Sequence, residues 1–415
     1  MAAGSVSAMS PLRDRRFVLL LAGQAVNGIG SWCALVALWG YAAFRFHASP
    51  AGIALLSLSW ALPAALFGPF GGVPVDRFGP RRVLVVADGC AVLVSVALVF
   101  ASSFNQLVVL GACVGLTRCC SDPAFSALAP RLFDDDLLLR ANALLGAAMM
   151  SSIAFGPLLA AVAIATWGPR GAFVADAITY VIGIAVVLPL RLRPLVSRGD
   201  GTGAAPRPSA WRELREGFAF VRGEVSVQRV LVLATSVYVV WGAYTVIEPL
   251  YVRDVLHRPP ATFALLQAAF GALLVVNALA LSRFDNRIAR MRTLRAAALG
   301  AACAAPLYVG THSILVAFTG IAIWGSATAW FVAPRDTLLQ RSTPIAAHGR
   351  VLAIDITLRS WAHVVALPVA VLLAGHAGVR ATALTFAAVP VLGVVATRRA
   401  RDVAVPIALE PATIS

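Results

Sequence analysis

Lysine is absent from this chain. All 34 basic residues are arginines, set against 19 acids, and charged side chains make up 13 % of the 415 residues. Soluble domains carry about 25 % charged residues. So little charge, beside 60 % hydrophobic residues and a mean hydropathy of +0.83, excludes an ordinary water-soluble domain and defines a multi-span membrane protein. The six cysteines, Cys33, Cys90, Cys113, Cys119, Cys120 and Cys303, lie in apolar runs without metal-ligand spacing, so they read as reduced packing residues. Paired histidine ligands, a Gly-x-Ser-x-Gly turn and a Gly-Lys-Ser/Thr phosphate loop are all missing. Their absence argues against a membrane enzyme and against a nucleotide-driven pump, with no cofactor or metal expected.

Long apolar runs remain, each sufficient for a span of about 20 residues. Hydropathy places twelve, at Phe17–Phe44, Ala51–Val73, Val83–Ser103, Gln106–Ser126, Ala141–Thr166, Gly171–Leu190, Val227–Tyr251, Thr262–Ser282, Leu294–Gly310, His312–Ala333, Val351–Ala374 and Ala377–Thr397. The first is too long for a signal-peptide core and has no small-residue cleavage site behind it, so it stays as a helix.

A net charge of +15 could indicate a nucleic-acid binder. Instead the arginines are scattered among connections flanking the bilayer, and only Arg45, Arg170, Arg253, Arg258 and Arg380 fall in or beside the odd-numbered connections. The positive-inside rule then puts both termini in the cytoplasm of a cell with an inner membrane. The single long connection, residues 191–226, is rich in Arg, Gly, Pro and Ser, with a disordered middle expected around Ser197–Ser209. Its later part, Trp211–Arg222, alternates apolar and charged residues at helical spacing and predicts an amphipathic helix on the cytoplasmic face.

The fold expected is therefore an all-α membrane protein of twelve transmembrane helices in two pseudo-symmetric six-helix bundles. Residues 1–190 form the first bundle, 191–226 the linker, 227–400 the second bundle and 401–415 a cytoplasmic tail. Ala129-Pro130-Arg131 recurs as Ala333-Pro334-Arg335, and Arg283-Phe284-Asp285-Asn286-Arg287 is a weakened copy of the charged hinge after span two. Internal repeats of this kind suit a rocking transporter with one central site.

That hinge, Gly71 through Arg82, carries the pattern Gly-x-x-x-Asp-Arg-x-Gly-x-Arg-Arg in Gly72, Asp76, Arg77, Gly79, Arg81 and Arg82. It resembles the loop after the second helix of major facilitator superfamily transporters. Gln24 with Asn27-Gly28-Ile29-Gly30-Ser31-Trp32, Arg140-Ala141-Asn142-Ala143, Gly217-Phe218, and Gln340 through Gly349-Arg350-Val351 extend the likeness to its drug, macrolide-efflux and enterobactin-exporter branch. The resemblance implies a major facilitator fold and a proton-driven exporter, or antiporter, of amphipathic small molecules such as drugs, antibiotics or siderophores. An importer or facilitative carrier of a small metabolite would share the same hinge and spans. The partners implied are the lipid bilayer, protons and a small-molecule substrate, with the chain acting as a monomer. Two positions depart from the branch: Ser31 stands where an acid is common, and Gly156-Pro157 is followed by Leu158-Leu159-Ala160-Ala161 in place of further glycines.

Candidate site residues follow from charge inside apolar spans, which is costly unless it serves a cavity or a partner. Asp76, Asp88, Asp122 and the hinge arginines are expected to form a conformational lock that holds the cytoplasmic side closed through Arg350 and the start of helix eleven. Arg118, Glu248, Asp355, Arg359 and His363 are candidates for coupling; the pairs Arg118–Asp122 and Asp355–Arg359 serve packing equally well. Asp176 lies toward the outer side of helix six, and Glu248 is expected nearer water than the core. Gln24, Asn27, Trp32, Tyr238, Tyr244, Asn277 and Trp330 are the candidates for lining a substrate cavity, although aromatics also populate interfacial belts.

Overall fold

The computed structural model describes residues 11–67, 70–128, 132, 135–190, 210–281, 283–284, 288–344 and 347–398. Thirteen α-helices are described: α1 (Arg15–Gly40), α2 (Pro50–Phe67), α3 (Gly72–Phe78), α4 (Pro80–Val99), α5 (Phe104–Ser126), α6 (Asp135–Trp167), α7 (Pro169–Val187), α8 (Ala210–Gly223), α9 (Val225–Asp254), α10 (Pro260–Leu281), α11 (Met291–Tyr308), α12 (Ile314–Arg341) and α13 (His348–Arg398). Nine of the described helices are long and apolar enough to cross a membrane, and α2 contributes a shorter apolar stretch. The last of these, α13, is two rods joined at Gly378, whose φ of 81° breaks the helical path. With α2, α11 and both limbs of α13 the rods number twelve, and the short α3 and the amphipathic α8 lie between them.

Sequence explains where these rods begin. Ser103 and Gln106 form a reciprocal capping box at the start of α5, and Asp14 caps α1 by accepting from the Arg16 amide at 2.7 Å. Apolar span two is described to Phe67 as α2, and Gly72 and Val73, expected to finish it, belong to the short α3. Gly79, at φ 82°, then supplies the left-handed turn that L side chains resist, and Pro80 opens α4 with the φ a helix start requires. The hinge is thus a short helix and a tight reversal. The disorder expected at Ser197–Ser209 lies outside the described residues.

The helices separate into two bundles, with α1, α2 and α4–α7 in the first and α9–α13 in the second. A repeat of 210 residues is visible in the backbone. His47 and His257 both take positive φ, 48° and 50°, three residues before the prolines that open α2 and α10, and Gly168 and Gly378 take φ 72° and 81° before α7 and the second limb of α13.

How the bundles meet decides the conformation. The face at which α1 begins and α13 ends is called here the terminal face, and its opposite the far face. The far-face halves of both bundles share one apolar core, in which Val36, Leu56 and Phe173 of the first bundle join Val240, Ile247, Leu250, Phe263 and Leu367 of the second. Toward the terminal face the core divides. Phe17, Leu20, Val83, Leu84 and Leu128 pack within the first bundle, while Val230, Leu233, Leu294, Phe331 and Ile354 pack within the second. The molecule is therefore sealed on the far face and cleft on the terminal face. Helix α8 packs on the first limb of α13, where Gly217 lies against Ile354 and Arg350.

The bundles cross most closely where α6 meets α10. A side chain at Gly271 would lie 2.5 Å from the Ala154 Cα and would collide with the Ile153 carbonyl. Overpacking of this kind costs about 1–3 kcal/mol, so Gly271→Val is expected to lower the unfolding temperature in detergent while the protein still inserts. An unchanged unfolding temperature in well-expressed Gly271→Val would show that the halves do not need this close approach. The cysteines divide differently from expectation: Cys33 and Cys119 are buried in packing, whereas Cys90 and Cys303 are exposed on the helix surfaces.

Candidate transport site

The best-organised polar group in the second bundle lies on its terminal-face side, where α9, α12 and α13 meet. Asp355 of α13 pairs with Arg335 of α12 at 2.5 Å and with Arg359 one turn along its own helix at 3.0 Å. Both Arg335 and Asp355 are only 1 % exposed. Arg335 also reaches Asp336 at 3.2 Å and donates to the Tyr238 hydroxyl of α9 at 3.0 Å, and Arg359 donates to the same hydroxyl at 3.5 Å. The two guanidinium carbons lie 5.7 and 5.3 Å from the Tyr238 ring, whose face favours cations. Two cations and two anions balance, so the knot carries no net charge. Arg359, 31 % exposed, is its outermost cation.

Sequence reading paired Asp355 with Arg359 and placed Tyr238 apart, and the structure brings all three together. It missed Arg335, the buried centre of the knot. Hydropathy ended span ten at Ala333, whereas α12 continues to Arg341. The usable signal was the Ala-Pro-Arg repeat, which put an arginine two residues beyond an apolar run.

Asn277 and Trp330 also meet. The Trp330 indole donates to Asn277 Oδ1 at 3.1 Å, and Asn277 Nδ2 donates to Ser326 Oγ at 3.0 Å. These fixed amide and indole groups are half-buried, as are Gln24 and Trp32 of α1. Asn27 faces Gly183 of α7, inside its own bundle, and its Oδ1 is buried without a hydrogen-bond partner among the described residues. Tyr244 is buried in the far-side core, stacked on Trp324 at 4.6 Å and donating to the Ala383 carbonyl at 3.4 Å, so it is closed to the cleft in this conformation.

The remaining coupling candidates are dispersed. Arg118 pairs with Asp122 at 3.5 Å and lies 5.2 Å over the Trp60 ring of α2, with Asp122 65 % exposed. Glu248 is half-buried between buried neighbours, Ile247, Pro249, Leu250 and Tyr251, and its carboxyl faces the Tyr308 hydroxyl. His363 packs its backbone on Gly242, and its ring has no hydrogen-bond partner among the described residues.

The hinge residues all lie on the terminal face. Gly72 has open space around it, Asp76, Arg77 and Arg82 are exposed, and Arg77 covers the Phe78 ring at 5.3 Å. Arg81 donates to the Leu190 carbonyl at 3.0 Å, tying the hinge to the end of α7. Asp88 accepts from Ser121 at 3.3 Å within the first bundle. Among the described residues no ion pair joins Asp76 to Arg350; Arg350 is exposed, lies against Gly217 of α8 and has an interaction of its own.

On the sealed face sequence reading missed a second arginine. Arg253, at the end of α9, donates from one nitrogen to the Ala43 and Ala48 carbonyls of the first bundle, at 2.7 and 3.0 Å. Asp254 holds the rest of the guanidinium at 2.6 and 2.9 Å. Ala43 belongs to a π-helical turn, Tyr41–Arg45, that ends the first rod. Such turns reorient carbonyls out of the regular ladder, and here one meets a cation from the other half.

Two similar bundles, closed on one face and parted on the other around polar groups, are the architecture of a membrane transporter. The chain belongs to the Major Facilitator Superfamily, whose family model matches residues 20–367. Over 371 residues it is 23 % identical to macrolide efflux protein A of Streptococcus pyogenes, covering 88 % of this chain and 90 % of that protein. It is 27 % identical over 340 residues to the lysophospholipid transporter LplT of Yersinia enterocolitica, covering 80 % of each. Among solved structures, a bacterial homolog of the human lysosomal transporter Spinster, in an inward-facing and unoccupied conformation, superposes with a TM-score of 0.71 at 15 % identity, covering 94 % of this chain and 98 % of that one.

Proposed function

We propose that this protein is a proton-coupled exporter that carries amphipathic small molecules out of the cytoplasm by rocking its two bundles about a central site. The basic terminal face is then cytoplasmic, and the conformation described is inward-open. The observation that carries this reading is the cleft itself. It opens on the face where arginines concentrate, so that the unloaded carrier collects its cargo from the cytoplasm. Half-buried aromatics, two amides and one knot of balanced charge suit ligands with a large apolar body and few polar groups. The likeness to macrolide efflux protein A supports cargo of that kind. The likeness to lysophospholipid transporters favours a second reading, movement of a lysophospholipid.

The deciding experiment places purified protein in liposomes with an acid interior and a pH dye inside. Macrolides, amphipathic cations, siderophore-like acids and lysophospholipids are added outside one at a time. An exporter inserted with its terminal face outward releases protons as a compound enters. Uptake that ignores the gradient sinks the proton-coupled reading.

Asp76 belongs to the same proposal as half of a lock that forms when the cleft closes against Arg350. Asp76→Asn is expected to leave membrane insertion intact and to lower transport severely, because the closed-cleft state loses its charged contact. Normal turnover at normal expression would remove the lock.

A further inference from the structure

Asp176 of α7 is an acid that neither the charged knot nor the hinge uses. It is 4 % exposed, two turns from the far-face end of its helix. Its Oδ2 accepts from Ser95 Oγ of α4 at 2.6 Å, and its Oδ1 is buried with no hydrogen-bond partner among the described residues. No arginine or histidine pairs with it among the described residues. A carboxylate in such a place, held by one neutral hydroxyl, lacks the compensation that buried charges require. The protonated acid carries no such cost.

The surrounding groups come from each helix packed on α7. From α1, Cys33 lies within electrostatic reach of the carboxyl. On α7 itself Tyr180 follows one turn later, within reach of Asp176, Asp88 of α4 and Arg118 of α5. The charged residues of α6, Asp135, Asp136 and Arg140, all lie at its terminal-face end, and Arg170 stands at the far-face start of α7. The Tyr180 hydroxyl meets Ser31 Oγ of α1 at 3.2 Å. Tyr180, one turn from Asp176 on the same helix, thus bonds the position on α1 where Ser31 stands.

We propose that Asp176 is the proton-carrying group of the transport cycle, with Tyr180 and Ser31 linking it to helix α1. The assignment rests on the proton-coupled reading above. In each cycle the Asp176 carboxyl takes one proton from far-face water when that side opens, forming its O–H bond. It keeps that proton as the cleft reopens on the terminal face and gives it to water there when cargo binds, leaving the carboxylate, so that one proton enters as one cargo molecule leaves.

The test uses full-length protein in liposomes with erythromycin as the probe, in the wild type, Asp176→Asn and Asp176→Glu. Asp176→Asn is expected to reduce erythromycin-dependent proton movement at least about tenfold while leaving erythromycin exchange at equal pH within about twofold. Asp176→Glu keeps both activities and shifts the pH midpoint of transport. In infrared difference spectra at neutral pH, a protonated-carboxyl band of the wild type disappears in Asp176→Asn. Unchanged proton movement in Asp176→Asn overturns the assignment, as does joint loss of movement and exchange with the infrared band retained. An unshifted midpoint in Asp176→Glu does the same should Asp176→Asn not fold. Erythromycin uptake by the wild type with no proton movement overturns the coupled reading itself, and this assignment with it.

Discussion

Asp355→Ala is expected to destabilise the protein by about 3–5 kcal/mol, because removing one partner leaves a buried charge uncompensated. Arg335, 1 % exposed, would retain only the largely solvated Asp336 and the Tyr238 hydroxyl. Arg359 would lose its closest anion in the same step. Thermal unfolding in detergent reads the effect directly. A double replacement, Arg335→Met with Asp355→Leu, exchanges the central pair for apolar groups and should recover most of the lost stability without restoring transport. That contrast separates a packing role from a working one. If Asp355→Ala unfolds at the wild-type temperature, the knot is not a buried ion network in solution. If the double variant transports normally, the charges serve packing alone.

The second large effect is expected at the far face. Arg253 joins the bundles through two charge-assisted hydrogen bonds, each contributing about 1.5–3 kcal/mol when desolvated. Arg253→Ala should therefore move the balance between the two access states toward opening of the far face by at least about a hundredfold. Spin labels at Ser49 and Arg258, both exposed on that face, would report a longer distance component in the variant. An unchanged distance distribution would assign the seal to the apolar core alone. Asp254→Asn should reproduce part of the shift, since Asp254 holds the guanidinium in place.

Much of this architecture was legible because bilayer length and apolar runs leave few alternatives. Gly79 and Pro80 announced their reversal through backbone chemistry that only those residues supply so readily. The amphipathic helix at Trp211–Arg222 was equally plain from its spacing. Pairings between distant helices were harder to see. Asp355 and Arg359 are neighbours on one helix and could be matched by counting, but Arg335 is 20 residues away and Tyr238 lies 97 residues from Arg335. Arg253 looked like a loop charge because its partners are backbone carbonyls, which leave no mark in a sequence. Tyr244 and Asn27 have the residue types of a substrate wall, yet their helix faces turn toward packing, and hydropathy does not report rotation about a helix axis within a bundle.

The single apolar core that seals the far face also makes the transporter a thermometer. When that face opens, side chains such as Val240, Leu250 and Phe263 exchange packing for water in the new cleft. Exposure of apolar surface raises the heat capacity, so the free energy between the two access states curves with temperature. Cooling weakens the hydrophobic part of the seal while leaving the Arg253 bonds in place, and the resting population drifts toward the far-side-open state. Transport should therefore fall on cooling more steeply than a single activation barrier allows, because fewer carriers wait with their cleft toward the cargo.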